Sequence, residues 1–422
     1  MMSCIKSILA VPGLNGFYHD DQTAIRAGAK QDGMTYIGDP KTPGFGAIRQ
    51  PGEALCLMVV SEDGNISLGD CTSVQYPGVG GREPFISTSE MDRWIQSVFR
   101  PHFERKTLGN FRELVGQIPT LGRQVEGIPA AVRYGLSQAL LHAVALDHKS
   151  TMAEIILKEY GLETILEPIP IYVQTGDERW LNADKAILKR AEVLPHGSFN
   201  ELDTKVGRDG ELLLEYLSWL VKRIQQLAGD DYCPTIHIDV YGTPSLIFGN
   251  DLNRIAEYLS SLAKCVEIYP LQVEAPVYFK ERQAHLDGMY QLRNRLKRIN
   301  CPVRIIADEW CNSLEDVQEF AHNRIADIVH IKTPDMGEIT NTIEAVLACR
   351  ETDVDAFLGG SCTDTDQSAR VSVHIALATR PIQMLAKPGM DIDVGLMIVR
   401  NEILRALTIM KDHEQSKDRP SE

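Results

Sequence analysis

The chain has 422 residues, 44% hydrophobic and 24% charged, which supplies a full core, excludes bulk disorder and implies two domains or a barrel with an elaboration. Its formal charge of −15, from 43 Lys plus Arg against 58 Asp plus Glu, argues against nucleic acid or an anionic membrane as partner. Small anionic substrates stay open, because one local site can be positive within a negative protein. The nine cysteines are odd in number and form no CxxC pair, so they read as reduced and cytoplasmic, not as a disulfide scaffold or a structural zinc site. No apolar stretch approaches the roughly 20 residues that a spanning helix needs.

The opening, MMSCIKSILAVPGLNGFYHDD, is a poor signal peptide, and Ile5 to Val11 reads as a first strand. Ala54 to Ser61 is a second strand, Glu62 to Asn65 a turn, and Ile66 to Cys71 the returning arm of a hairpin. A glycine-dense loop follows from Pro77 to Arg82; Gly78, Gly80 and Gly81 read as loop backbone, not as a nucleotide site. From Glu90 to Tyr160 the pattern is helical, and Ala130 to Ala145 is apolar on all sides, as in a buried helix. These elements predict an α+β unit over residues 1–162.

Over 163–422 short apolar runs alternate with amphipathic helices. The strand candidates are Ile169 to Gln174, Ala191 to Leu194, Thr235 to Val240, Leu271 to Glu274, Arg304 to Asp308, Ile328 to Lys332, Ala356 to Gly359 and Gln383 to Ala386. Between them, Ile255, Leu259 and Leu262 share one helix face, and Asn312 with Glu315 forms a candidate capping box. Eight β-then-α steps predict an α/β fold, a TIM-like barrel; a doubly wound open sheet is the rival.

Ionisable residues end these strands. Asp239, Glu274 and Asp308 are spaced by 35 and 34 residues, and Lys332 follows 24 later, each gap fitting one β-α step. Successive strands would place all four at the C-terminal mouth, where barrel enzymes work. Three converging carboxylates repel one another and are tolerable around a divalent cation; all-oxygen ligands favour magnesium, manganese or calcium over zinc. Strand alternation lets only one of Asp308 and Glu309 face inward, and spacing does not choose between them. Lys332 in an apolar strand is costly to bury without a purpose, and its pKa should fall beside a dication, as suits a general base. The alternative for each acid is a local salt bridge or helix cap. His196, after a strand, reads as an acid, a base, a carboxylate binder or an idle loop residue. Gln174 ends a strand, while Ser361, Cys362 and Thr363 follow Gly359-Gly360 on a turn suited to a carboxylate.

The motifs PGLNGFYHDDQ, GDCTSVQYPGVGGREP, RYGLSQALLHAVA, VLPHG, HIDVYGT, ADEWCN, IKTPDMG, GGSCT and AKPGM together resemble methylaspartate ammonia-lyase (3-methylaspartase), a branch of the enolase superfamily, nearly end to end. Enolase-superfamily sites use a Lys or His base with one or two magnesium ions. The resemblance implies an N-terminal α+β capping domain over a modified TIM barrel, usually a homodimer. The implied reaction converts L-threo-3-methylaspartate, an amino dicarboxylate, reversibly to mesaconate and ammonia, needing Mg2+ and aided by K+, within glutamate metabolism. It assigns Asp239, Glu274 and Asp308 to the metal and Lys332 to the C3 proton. His196 contacts the C4 carboxylate and serves the opposite face. Gln174, Ser361 and Cys362 match substrate-binding positions, and Gln75 closes over the substrate from the cap. A proton next to a carboxylate is weakly acidic, and its removal adds a second negative charge that a cation offsets.

The chain departs from the family at His330, where glutamine is usual. His330 shares Lys332's face and is expected to reach the substrate carboxylate. Ser361 replaces threonine, and Thr363-Asp364 replaces an Asn-Glu pair. Two rival readings are another enolase-superfamily enzyme (dehydratase, racemase or cycloisomerase) and a non-catalytic binding or structural barrel.

Overall fold

In the computed structural model, which describes residues 2–79, 81–122 and 127–417, the first apolar run does not stop at Pro12. Strand β1 spans Ile5–Asp20. It pairs antiparallel with β2 (Arg49–Ser61), which pairs in turn with β3 (Ile66–Cys71). β1 is an edge strand, so Pro12 interrupts no inner ladder and the strand continues through it. The expected hairpin between β2 and β3 is present. Gly80 of the glycine-dense loop lies outside the described residues.

The buried helix is α1 (Ala130–Asp147). One side packs on the cap sheet; another meets the barrel, where Ser137 Oγ accepts the Ile339 N–H at 3.0 Å. Contact on both sides explains why it lacks a polar face. The approach to β3 is backbone to backbone. A methyl on Gly135 would sit 2.4 Å from the Cys71 nitrogen, and one on Gly69 would sit 2.3 Å from the Gly135 oxygen.

The eight later strands close into a fully parallel barrel in chain order. They are β4 (Ile171–Tyr172), β5 (Val193–His196), β6 (Thr235–Asp239), β7 (Leu271–Glu274), β8 (Arg304–Ala307), β9 (Ile328–Ile331), β10 (Asp355–Leu358) and β11 (Gln383–Leu385). β11 returns to β4 through Met384 opposite Ile171 and Leu385 opposite Tyr172, which excludes the open-sheet rival. Three expectations shift locally. The strand read as Ala191 to Leu194 runs two residues later, so His196 ends it instead of following it. Asp308 and Lys332 lie just beyond their strands. The box read at Asn312 and Glu315 is one residue on: Ser313 caps the helix Leu314–His322 by accepting the Asp316 N–H.

The barrel is filled below its mouth by Tyr172, Val193, Ile306, Ile328, Phe357 and Leu385, all buried. Tyr172 stacks on His237 with ring centroids 4.1 Å apart, and Phe357 meets both rings edge-on. This layer forms the dry floor beneath the acidic strand ends.

Gly135→Ala should destabilise the chain by about 1–3 kcal/mol, because the added methyl meets backbone that cannot move aside. A urea midpoint unchanged from the parent would show that this contact has slack.

Candidate active site

Barrel register sets Asp239 directly beside Glu274 on neighbouring strands. Glu274 is 2% exposed and holds two histidines. Its Oε2 lies 2.8 Å from His237 Nε2, and its Oε1 lies 2.7 Å from His330 Nδ1. His237 Nδ1 faces the Gln383 amide nitrogen at 2.8 Å, which fixes its tautomer: Nδ1 accepts and Nε2–H donates to Glu274. His330 Nδ1 also lies 3.4 Å from Asp308 Oδ1. Lys332 Nζ sits 2.7 Å from Asp308 Oδ1 and 2.8 Å from Oδ2. On the other flank His196 Nε2 is 3.5 Å from Asp239 Oδ2, with His196 at φ 69°. Six residues expected at the site, Asp239, Glu274, Asp308, His196, His330 and Lys332, thus share one mouth.

The charges are unequally matched. Burial, then Glu274, pushes the Asp239 carboxyl up to about 6. Burial would also raise Glu274, but His330 and His237 hold it well below the usual carboxylate range. Burial likewise opposes ionisation of Asp308, yet Lys332 and His330 keep it low. Glu309 is pushed up to about 8 by burial and then by Asp308, and its Oε2 is buried without a hydrogen-bond partner among the described residues. Strand alternation does not govern which of this pair turns inward. β8 has ended at Ala307, and the turn into Trp310, at φ 64°, no longer alternates.

Lys332 sits between opposing influences. Burial pushes its ammonium down, but Asp308 more than offsets this and holds it above the ordinary lysine value. A charge pair at contact distance outweighs desolvation here.

A second group faces this one from the cap. Gln75 donates its backbone N–H to Ser361 Oγ at 3.2 Å, and the Cys362 thiol donates to Gln75 Oε1 at 3.0 Å. Burial pushes that thiol up to about 12, so it remains an S–H donor. Ser361 N–H donates to Asp364 Oδ2 at 2.8 Å. Gln174 packs against Gly389, where a methyl would meet its Oε1 at 2.9 Å.

The two halves of the chain match family models described as methylaspartate ammonia-lyase N-terminus, over residues 3–161, and C-terminus, over residues 163–412. The chain belongs to the methylaspartate ammonia-lyase family. It is a carbon–nitrogen lyase by that membership. It is 50% identical to methylaspartate ammonia-lyase 2 of Carboxydothermus hydrogenoformans, over 97% of this chain and 99% of that one. The magnesium complex of beta-methylaspartase from Clostridium tetanomorphum superposes with a TM-score of 0.94 at 40% identity, covering 97% of this chain and 100% of that one. The Citrobacter amalonaticus methylaspartate ammonia-lyase structure containing (2S,3S)-3-methylaspartic acid gives 0.95 at 42% identity, with coverage of 97% and 100%. A muconate lactonizing enzyme from Pseudomonas fluorescens, at 16% identity and a TM-score of 0.60 over 90% of this chain and 86% of that one, shares the enolase-like fold.

The donor set of this family member fits a metal ion. One ligand atom each from Glu274, Asp308 and His330 lies within 4.8 Å of the others. Asp239, raised by burial and then by Glu274, is an acid whose ionised form a cation would favour. Sequence reasoning passed over His237, though it shares a strand face with Asp239 two residues on, and that alternation was the available signal. Arg82 and Asp335, paired at 3.0 Å beside Lys332, had no such signal, since one sits on a cap loop and the other beyond a barrel strand.

Magnesium should raise the thermal midpoint of the folded chain, and Asp239→Asn should remove most of that rise. Binding should weaken as pH falls below about 6, since the cation must displace the Asp239 proton. Calorimetric titration at pH 5 and pH 8 checks this; equal affinities would remove Asp239 from the ligand set.

Proposed function

We propose that this chain eliminates ammonia reversibly from L-threo-3-methylaspartate to give mesaconate, with Asp239, Glu274 and Asp308 as ligands of Mg2+ and Lys332 as the base. The observation that carries the reading is the contact of Lys332 with Asp308 beside two further buried carboxylates, at the mouth of a barrel of this family. When bound, the cation supplies positive charge that competes with Lys332 for Asp308 and offsets the charge building on the substrate carboxylate.

Lys332 takes the C3 proton once its hold on Asp308 is loosened. The charge left behind then expels the neighbouring amine as ammonia and forms the double bond of mesaconate. His196 flanks the metal carboxylates on the side away from Lys332, as a group serving the opposite face must. His330 bridges Glu274 and Asp308 with Nδ1, and its buried Nε2 has no hydrogen-bond partner among the described residues, so with a proton on that nitrogen it donates to a substrate carboxylate. Ser361, Cys362, Gln174 and Gln75 complete the substrate pocket, with Gln75 reaching in from the cap.

The division of labour is a capping domain over 1–162 and a barrel over 163–422, and contacts from Thr72, Ser73 and Gly16 to Thr363 and Asp364 close one on the other. K+ acts as activator. All nine cysteines are free, which suits a cytoplasmic chain, and no helix among the described residues is long and apolar enough to cross a membrane. The enzyme works as a homodimer; the solvent-facing strip of Leu9, Val11, Ile66 and Leu68 on the cap sheet supports a subunit contact.

Ultraviolet absorbance should rise when the purified chain meets L-threo-3-methylaspartate with Mg2+ and K+, and the rise should vanish with EDTA. Lys332→Ala should lower kcat by about 10²–10⁴-fold. A flat trace from folded, magnesium-loaded chain would exclude methylaspartate and move the reading to a sister reaction of the superfamily.

A further inference from the structure

Behind Gln75 stands a charged clamp that the reaction itself does not use. Asp20, the last residue of β1, is 1% exposed. Arg49 grips it with both arms: Nε lies 2.7 Å from Oδ1, and Nη2 lies 2.7 Å from Oδ2. The guanidinium sits among three rings, with Cζ 5.6 Å from the Phe17 centroid, 5.4 Å from Tyr18 and 5.1 Å from Tyr36. Such a forked, ring-packed pair is rigid. Asp20 Oδ2 also accepts from Gln75 Nε2 at 2.7 Å, and Asp20 donates its own N–H to the Gln75 carbonyl at 2.9 Å.

A carboxylate accepts and cannot donate, so the Gln75 amide has one orientation only: nitrogen to Asp20, oxygen away from it. The opposite neighbour agrees, because the Cys362 thiol donates to that oxygen at 3.0 Å. We propose that Asp20, clamped by Arg49, is a positioning residue that fixes the Gln75 amide so that the cap presents an acceptor, not a donor, to the substrate. This rests on the lyase reading and deepens it. An amino dicarboxylate carries two acceptor ends and one donor, its ammonium. A carbonyl oxygen held inward attracts the ammonium and repels a misplaced carboxylate, so the clamp orients the substrate by its amine.

Asp20→Asn keeps the shape but supplies an N–H₂ of its own, which frees the Gln75 amide to turn. Rates are measured in the direction of ammonia addition to mesaconate for the unaltered chain, Asp20→Asn, Gln75→Ala and the double variant. Asp20→Asn should raise KM for ammonium by at least about tenfold, as expected for a lost hydrogen bond to a charged group, while KM for mesaconate moves less than about twofold. In the Gln75→Ala background the Asp20 change should add nothing, because it acts only through Gln75. Where Asp20→Asn fails to fold, Arg49→Lys, which loses the fork and keeps the charge, carries the same comparison with Gln75→Ala. Losses that multiply in the double variant, or both KM values rising together, would show a general structural role and overturn the proposal. A flat trace from the unaltered chain overturns the lyase reading, and this inference with it.

Discussion

Three carboxylates held at one barrel mouth repel one another, and the polar architecture around them answers that repulsion. Glu274 is the best compensated, between His237 and His330. Asp308 is met by Lys332 and, at longer range, by Arg82. Asp239 accepts the Tyr241 backbone N–H and faces His196 at 3.5 Å, and its carboxyl is still pushed up to about 6, so its charge is the hardest of the three to hold. A folded chain therefore presents a site already short of positive charge, and that deficit defines what it binds. The floor of Tyr172, His237 and Phe357 keeps water out from below, so the deficit is not screened away.

The same economy governs Lys332. In the proposed reaction Lys332 must be neutral to act as base, yet Asp308 holds its ammonium above the ordinary lysine value. The proposed base and the proposed metal ligand are thus in contact, so in that proposal proton abstraction depends on occupancy of the metal site. The loop opposite is built with comparable care. Asp364 is fully buried and accepts from Ser361 N–H, Tyr134 O–H and Ser368 O–H. Lys387, also fully buried, lies 3.4 Å from Asp364 and donates to Thr333 Oγ1 at 2.9 Å. Thr333 follows Lys332, and Tyr134 belongs to the cap helix α1. One buried pair therefore ties the base strand, the Ser361 loop and the cap together, and removing either partner would strand a charge.

Much of this was legible along the chain. Apolar runs ending in Asp239, Glu274, Asp308 and Lys332 at one-step intervals required little beyond barrel closure to become a site. The period-2 rule placed His330 with Lys332 correctly, and it has no hold where a strand has ended, as at Asp308-Glu309. It erred by two residues at β5, where the first strand residue, Val193, is preceded by a buried Ala191 that read as strand.

Sequence by itself determined the order of strands and helices and the acids that end them, because each depends on local periodicity and spacing, while the family followed from the resemblance of its motifs. Tertiary structure alone decided which charges touch. Asp308 chooses Lys332, His330 turns to Glu274, and Arg49 reaches Asp20 to orient Gln75 against Cys362. Those pairings join residues from 24 to 287 positions apart, through closure of the barrel and the seating of the cap. No local pattern encodes such contacts, since distance along the chain says nothing of distance across a folded mouth.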